Sequence, residues 1–129
     1  MLICCVIALL FCITGNAKVP YIPKIINYSV SDYKAGNQNW AVSQGPGGKM
    51  YIGNNRGLLV FDGIHWDLVK LPNNLGVRAL YISKDGRIYV GSFEEFGYFE
   101  MDDENDLIYH SLSSSEMNVY LNNDEFWTI

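Results

Sequence analysis

The residues of this chain able to do chemistry gather beside glycine-marked turns. Asn54, Asn55 and Arg56 lead into Gly57, Phe93, Glu94 and Glu95 lead into Phe96-Gly97, and Arg78 opens an apolar run. Amides, a guanidinium, carboxylates and an aromatic ring are the groups that hydrogen-bond to and stack on a sugar or a short peptide. The same residues also make an ordinary solvated loop rim, and Arg78 equally suits a structural hydrogen bond between neighbouring elements.

Catalytic and metal chemistry find less support. Glu94 and Glu95 are sequence neighbours, so on a strand they point to opposite faces and cannot act together as acid and base. Asp102, Glu104 and Asp106 share the alternate spacing of a calcium loop. However, Leu107 stands where the sharp-turn glycine belongs and Ser113 where the closing glutamate belongs, so a solvated hairpin tip is the better reading. His65 and His110 lack partners at metal-ligand spacing. The chain has no Gly-Xaa-Ser-Xaa-Gly elbow and no phosphate loop, and Gly45-Pro46-Gly47-Gly48 leads into a strand rather than the helix a nucleotide cradle requires. Neither an enzyme nor a cofactor or metal site is expected.

Composition narrows the setting. The 129 residues are 49% hydrophobic, 14% aromatic and 18% charged, which suits an ordered β-rich segment. The net charge of −5 opposes binding to nucleic-acid phosphates or an anionic membrane surface. Cys4, Cys5 and Cys12 all fall in a leading stretch that runs apolar from Leu2 to Ile13 and ends in Gly15-Asn16-Ala17. That run is short for a membrane span and its small residues suit a signal peptidase, so residues 1–17 read as an export signal. The missing basic n-region leaves a truncated anchor helix as the alternative, and bulky Phe11 before Cys12 disfavours a lipoprotein. Cleavage after Ala17 leaves a chain without cysteine, hence without disulfides or thiol chemistry.

The elements that position the polar residues repeat. Gly86-Arg87-Ile88-Tyr89-Val90-Gly91 overlays Gly48-Lys49-Met50-Tyr51-Ile52-Gly53 at a spacing of 38 residues. Strands are expected over Trp40–Ser43, Lys49–Gly53, Leu58–Phe61 and His65–Val69, then over Arg78–Ile82, Arg87–Gly91, Gly97–Glu100 and Leu107–Leu112. Asp62-Gly63 marks a two-residue hairpin whose central positions both want positive φ, and Lys84-Asp85-Gly86 marks a further hairpin turn. Four strands per unit at a period near forty make a β-propeller blade. The expected fold is therefore all-β: a partial propeller of about two four-stranded antiparallel blades and the start of a third.

In this division residues 18–38 form a lead-in, with Ile25–Val30 as a strand of the kind that closes a ring onto its last blade, here expected to stay unpaired because that blade is absent, and 31–38 as a polar connector. Residues 39–74 form blade 1 and 75–115 blade 2. Residues 116–129 hold a connector and, in Glu125–Ile129, the first strand of a third blade. A stop in mid-strand reads as a fragment, marginal alone because an apolar flank and open strand edges lie bare. Tyr51, Phe61, Trp66, Tyr89, Tyr98 and Phe99 suit packing better than a sugar platform, and Trp40 and Trp127 should pack between blades. In an up-and-down blade the second-to-third strand turns share a ring face with the blade crossovers. That face gathers Asn54, Asn55, Arg56, Arg78, Phe93, Glu94 and Glu95, together with Asn73, Asn74 and Ser92.

Several ordered motifs add a resemblance. Gln38-Asn39-Trp40, Tyr51 to Leu59, Phe61-Asp62-Gly63, Trp66, Val77 to Leu80, Ile88 to Gly91 and Glu95 to Phe99 together resemble the propellers of two-component regulators, as in large Bacteroidetes sensors. The likeness spans about Ile25 to Leu112. It implies an exported, periplasmic module that detects an extracellular ligand, often an oligosaccharide. In the family a Tyr-rich immunoglobulin-like domain and a membrane helix follow, then a DNA-binding helix-turn-helix or a histidine kinase. DNA would thus be met only through a further output domain, and homodimers fit the full-length parent. The competing readings are a secreted propeller enzyme, a lyase or glycan-cleaving protein, and a structural protein-interaction propeller.

Overall fold

The computed structural model describes residues 21–113, 121 and 123–129. The leading segment read as an export signal lies outside them, as does most of 114–122. No helix among the described residues is long and apolar enough to cross a membrane.

Two four-stranded antiparallel sheets follow one another. The first contains β1 (Asn39–Gln44), β2 (Met50–Asn54), β3 (Gly57–Phe61) and β4 (Trp66–Val69) in that order. The second contains β5 (Ala79–Ile82), β6 (Ile88–Gly91), β7 (Phe96–Met101) and β8 (Leu107–Ser111). Their registers match residue for residue: Ala41 pairs with Gly53 as Ala79 pairs with Gly91, and Tyr51 with Val60 as Tyr89 with Tyr98. The fold is thus a partial propeller of two blades.

The repeat works through alternation. Successive strand residues face opposite sides, so each blade offers one apolar face forward and one back. Tyr51 and Leu58 from the first sheet, and Ile88, Val90 and Phe99 from the second, meet in one buried core with Leu71 and Val77 of the crossover. Each such side chain, removed from water, contributes roughly 1.5–3 kcal/mol. The glycines ending β2 and β6 let the next unit approach. A Cβ on Gly53 would lie 3.0 Å from the Val77 carbonyl oxygen, and one on Gly91 3.0 Å from that of Phe126. Phe126 thus packs against Gly91 as Val77 packs against Gly53.

Ile25–Ser29 pairs with no strand, in keeping with a ring-closing pairing left unmade, while Val30–Tyr33, where no helix was expected, forms one helical turn, α1. The reason is local: Ser29 and Asp32 form a capping box, with the Ser29 N–H donating to Asp32 Oδ2 at 2.6 Å. The Ser29 hydroxyl, donating to the same oxygen at 2.7 Å, and then this N–H hold the Asp32 carboxyl below its ordinary range. Lys34 then adopts the left-handed conformation, φ 51°, and ends the turn.

The expected polar connector is partly apolar in effect. Tyr33 and Ala35 are buried against Leu59, with Ile52, Trp66 and Leu68 around them. Tyr28 meets Phe61 edge-on at 5.1 Å and Trp66 at 5.2 Å. The lead-in therefore covers blade 1 much as blade 1 covers Phe99 and Tyr109 of blade 2. On the far face of blade 2, Tyr81, Tyr89, Tyr98 and His110 form a cross-strand row with successive ring separations of 6.4, 5.6 and 5.0 Å.

Candidate functional site at the crossover end

The turn after β2 is occupied by Asn54, which is completely buried. Its amide spans four bonds: Oδ1 accepts from Gly36 N–H at 2.9 Å and Arg56 N–H at 3.0 Å, while Nδ2 donates to Gly36 O and Asn39 Oδ1, both at 2.7 Å. This side chain is committed to tying the lead-in to blade 1. Beside it, the Asn55 N–H donates to Gln38 O at 3.1 Å, and its buried Oδ1 has no partner among the described residues. Arg56 extends into solvent.

One unit later Ser92 takes the place of Asn54, also buried, with Oγ donating to Gly76 O at 2.5 Å. The backbone bonds repeat too. Val77 N–H reaches Asn54 O at 2.9 Å, and Phe126 N–H reaches Ser92 O at 3.0 Å. That equivalence puts Trp40, Arg78 and Trp127 at one level, each just inside the entry of its unit.

Here lies the densest cluster of recognition-type side chains. The Arg78 guanidinium carbon sits 4.5 Å from the Trp40 ring centre and 5.6 Å from that of Trp127, within cation–π range of both. The two indoles meet edge to face at 5.4 Å. Glu125 Oε1 lies 3.5 Å from Arg78 Nε, and Arg78 Nη1 is buried without an acceptor among the described residues. Trp40 is 39% and Trp127 52% exposed, so indole surface faces solvent beside the arginine.

Phe93, Glu94 and Glu95 stand on the next turn, but their side chains part. Glu94 has φ 50° and takes the Asn123 N–H at 2.7 Å on Oε1. Glu95 Oε1 accepts from Tyr109 Oη at 2.7 Å and Ser111 Oγ at 2.6 Å. Burial, and then the neighbouring carboxylate, push the Tyr109 hydroxyl far above its ordinary pKa. Phe93, Glu94, Glu95, Asn73 and Leu75 line a cavity of about 310 Å³. Among the described residues, no ion pair joins Arg56, Arg78, Glu94 and Glu95 to one another.

At the opposite end, a cavity of about 660 Å³ opens between the blades, lined by Lys49, Tyr51, Asp85, Arg87 and Glu100 among others. Its charges are partly spent, since Arg87 lies 3.2 Å from Glu100 and 3.7 Å from Asp85. His110 lies 3.1 Å from Glu100 and stacks on Tyr98. Asp102 Oδ1 accepts the N–H groups of Glu104 and Asp106, closing the β7–β8 tip on itself. Among the described residues, no group of three His, Cys, Asp or Glu side chains is placed to hold a metal ion.

The crossover, β5, β6 and the turn bearing Phe93 lie within one recognisable unit. Residues 70–94 match the family model for the two component regulator propeller. No curated protein matches the chain. No solved structure matches it either. Arg78, Phe93 and Glu94 fall inside the matched segment; Trp40, Asn54 and Trp127 fall outside it. What the residue types did not single out is the pairing of Trp40 and Trp127 around Arg78. The available signal was their place at the start of each unit, read there as packing alone.

Proposed function

We propose that this chain is a ligand-sensing propeller segment of an exported, membrane-spanning two-component regulator, and that its ligand is an extracellular oligosaccharide. The reading is carried by the match of residues 70–94 to the regulator propeller family in a chain built from equivalent blades. The crossover end supports it chemically. Half-exposed indole faces, a guanidinium with a donor unmet among the described residues and a small cavity beside Phe93 are the parts from which sugar sites are assembled. No catalytic step is proposed, because Glu94 and Glu95 turn to separate partners. The output is carried by other domains of the regulator, through which ligand binding is relayed across the membrane.

Thermal denaturation of the complete ectodomain against a panel of oligosaccharides tests this. A ligand at ten times its dissociation constant stabilises by about 1.4 kcal/mol, which raises the midpoint by several degrees. A panel in which no saccharide moves the midpoint would leave the sensing reading without support.

A further inference from the structure

The Trp40–Arg78–Trp127 cluster gives the sensing site a sharper chemistry. We infer that it recognises an acidic sugar, with the ring stacked on indole and the carboxylate held by the Arg78 guanidinium. This rests on the sensing reading above and adds the class of ligand to it.

Three observations lead there. The first is placement: Trp40, Arg78 and Trp127 come together, with the guanidinium within cation–π range of two indoles that meet edge to face, so one half-exposed indole and the arginine border the same patch. The second is the state of the guanidinium. Glu125 Oε1 lies 3.5 Å from Nε, beyond good hydrogen-bond length, and Nη1 is buried with no acceptor among the described residues. A buried donor without a partner is costly, and an incoming oxygen removes that cost. The third is geometry. A carboxylate fits the planar fork better than a lone hydroxyl does, because two parallel charge-assisted bonds form at once. Trp127 is the more exposed of the two walls, at 52%, and a ligand reaches the buried Nη1 only if that indole gives way.

The chain's charge limits the ligand further. A net charge of −5 disfavours a densely anionic polymer, so one carboxylate on a short saccharide is the class that fits.

Intrinsic tryptophan fluorescence of the full chain reads the site directly. Trp66 serves as the remote ring, packed against Phe61 at 4.3 Å. The probes are cellobiouronic acid and cellobiose, which differ by one carboxylate. Saturable quenching should appear with the acidic disaccharide at about tenfold lower concentration than with the neutral one. The Arg78→Gln variant should erase that difference while its far-ultraviolet circular dichroism stays native. Should the variant fail to fold, salt dependence in the unaltered chain decides: added salt should weaken the acidic sugar and leave the neutral one unchanged. Equal binding of both sugars, insensitive to salt and to Arg78→Gln, would overturn the acidic-sugar inference and leave oligosaccharide sensing intact. No saturable quenching by either would overturn both.

Discussion

Replacing Asn54 tests how the lead-in is fastened to blade 1. The side chain is fully buried and makes four hydrogen bonds, two of them to Gly36. A hydrogen bond of this kind contributes about 0.5–1.5 kcal/mol net, and a buried group left unpaired costs more. Asn39 is exposed and Gly36 only half-buried, so water can satisfy part of what the alanine variant abandons. A loss of about 3 kcal/mol therefore follows for Asn54→Ala. Asn54→Asp should do no better at neutral pH. Its carboxylate keeps the two acceptor bonds but faces Gly36 O and Asn39 Oδ1 where Nδ2 now donates. Urea denaturation measures both, with the midpoint falling by about 2 M for a slope near 1.5 kcal/mol per molar and the slope itself unchanged. Asp103→Ala, on an exposed tip, serves as the control and should stay within about 0.5 kcal/mol. A loss below about 1 kcal/mol for Asn54→Ala would show that the amide does not fasten the lead-in.

Two further outcomes follow from the same packing and electrostatics. Tyr33→Ala should cost about 2–3 kcal/mol, because Tyr33 is nine-tenths buried on the first blade's flank, and should shift Trp66 emission to the red. Unchanged emission together with unchanged stability would place the lead-in off the blade. Asp62 accepts the His65 and Ile64 N–H groups, which lower its pKa from the ordinary 3.8 to about 2. Because the folded value is the lower one, the stabilisation is present above pH 3.8 and is lost as pH falls toward 2. Asp62→Asn should flatten the stability profile across that window, and an NMR titration should place the Asp62 midpoint near 2.

The blades were legible in the sequence because glycines and period-two alternation carry the information locally. Lys84-Asp85-Gly86 marks its hairpin, whereas Asp62-Gly63 sits in a four-residue loop, 62–65, between the paired Phe61 and Trp66, with Gly63 but not Asp62 at positive φ; strand ends still fall within one residue of those observed. The lead-in was less legible. Ile25–Val30 has strand-like residue types, yet extended chain becomes a strand only when a partner supplies the ladder. The Ser29-to-Asp32 capping spacing was the overlooked sign of α1.

At the site, Asn54 illustrates why a polar turn residue does not announce its burial. Its partners, Gly36 and Asn39, come from a segment whose path the local pattern does not define. Arg78 was open to either a ligand or a structural contact, and its observed surroundings supply an ion pair, two indoles and a donor with no acceptor among the described residues. The arrangement depends on Trp127 returning beside Trp40, a tertiary event invisible to spacing.

The account stands on two equivalent four-stranded blades, and backbone NMR tests this most directly. Cross-strand contacts linking Tyr51 with Val60 and Tyr89 with Tyr98 should appear together, as should those linking Ala41 with Gly53 and Ala79 with Gly91. Helical contacts across either stretch, or one register present and its counterpart absent, would contradict the repeat on which the site and its proposed ligand depend.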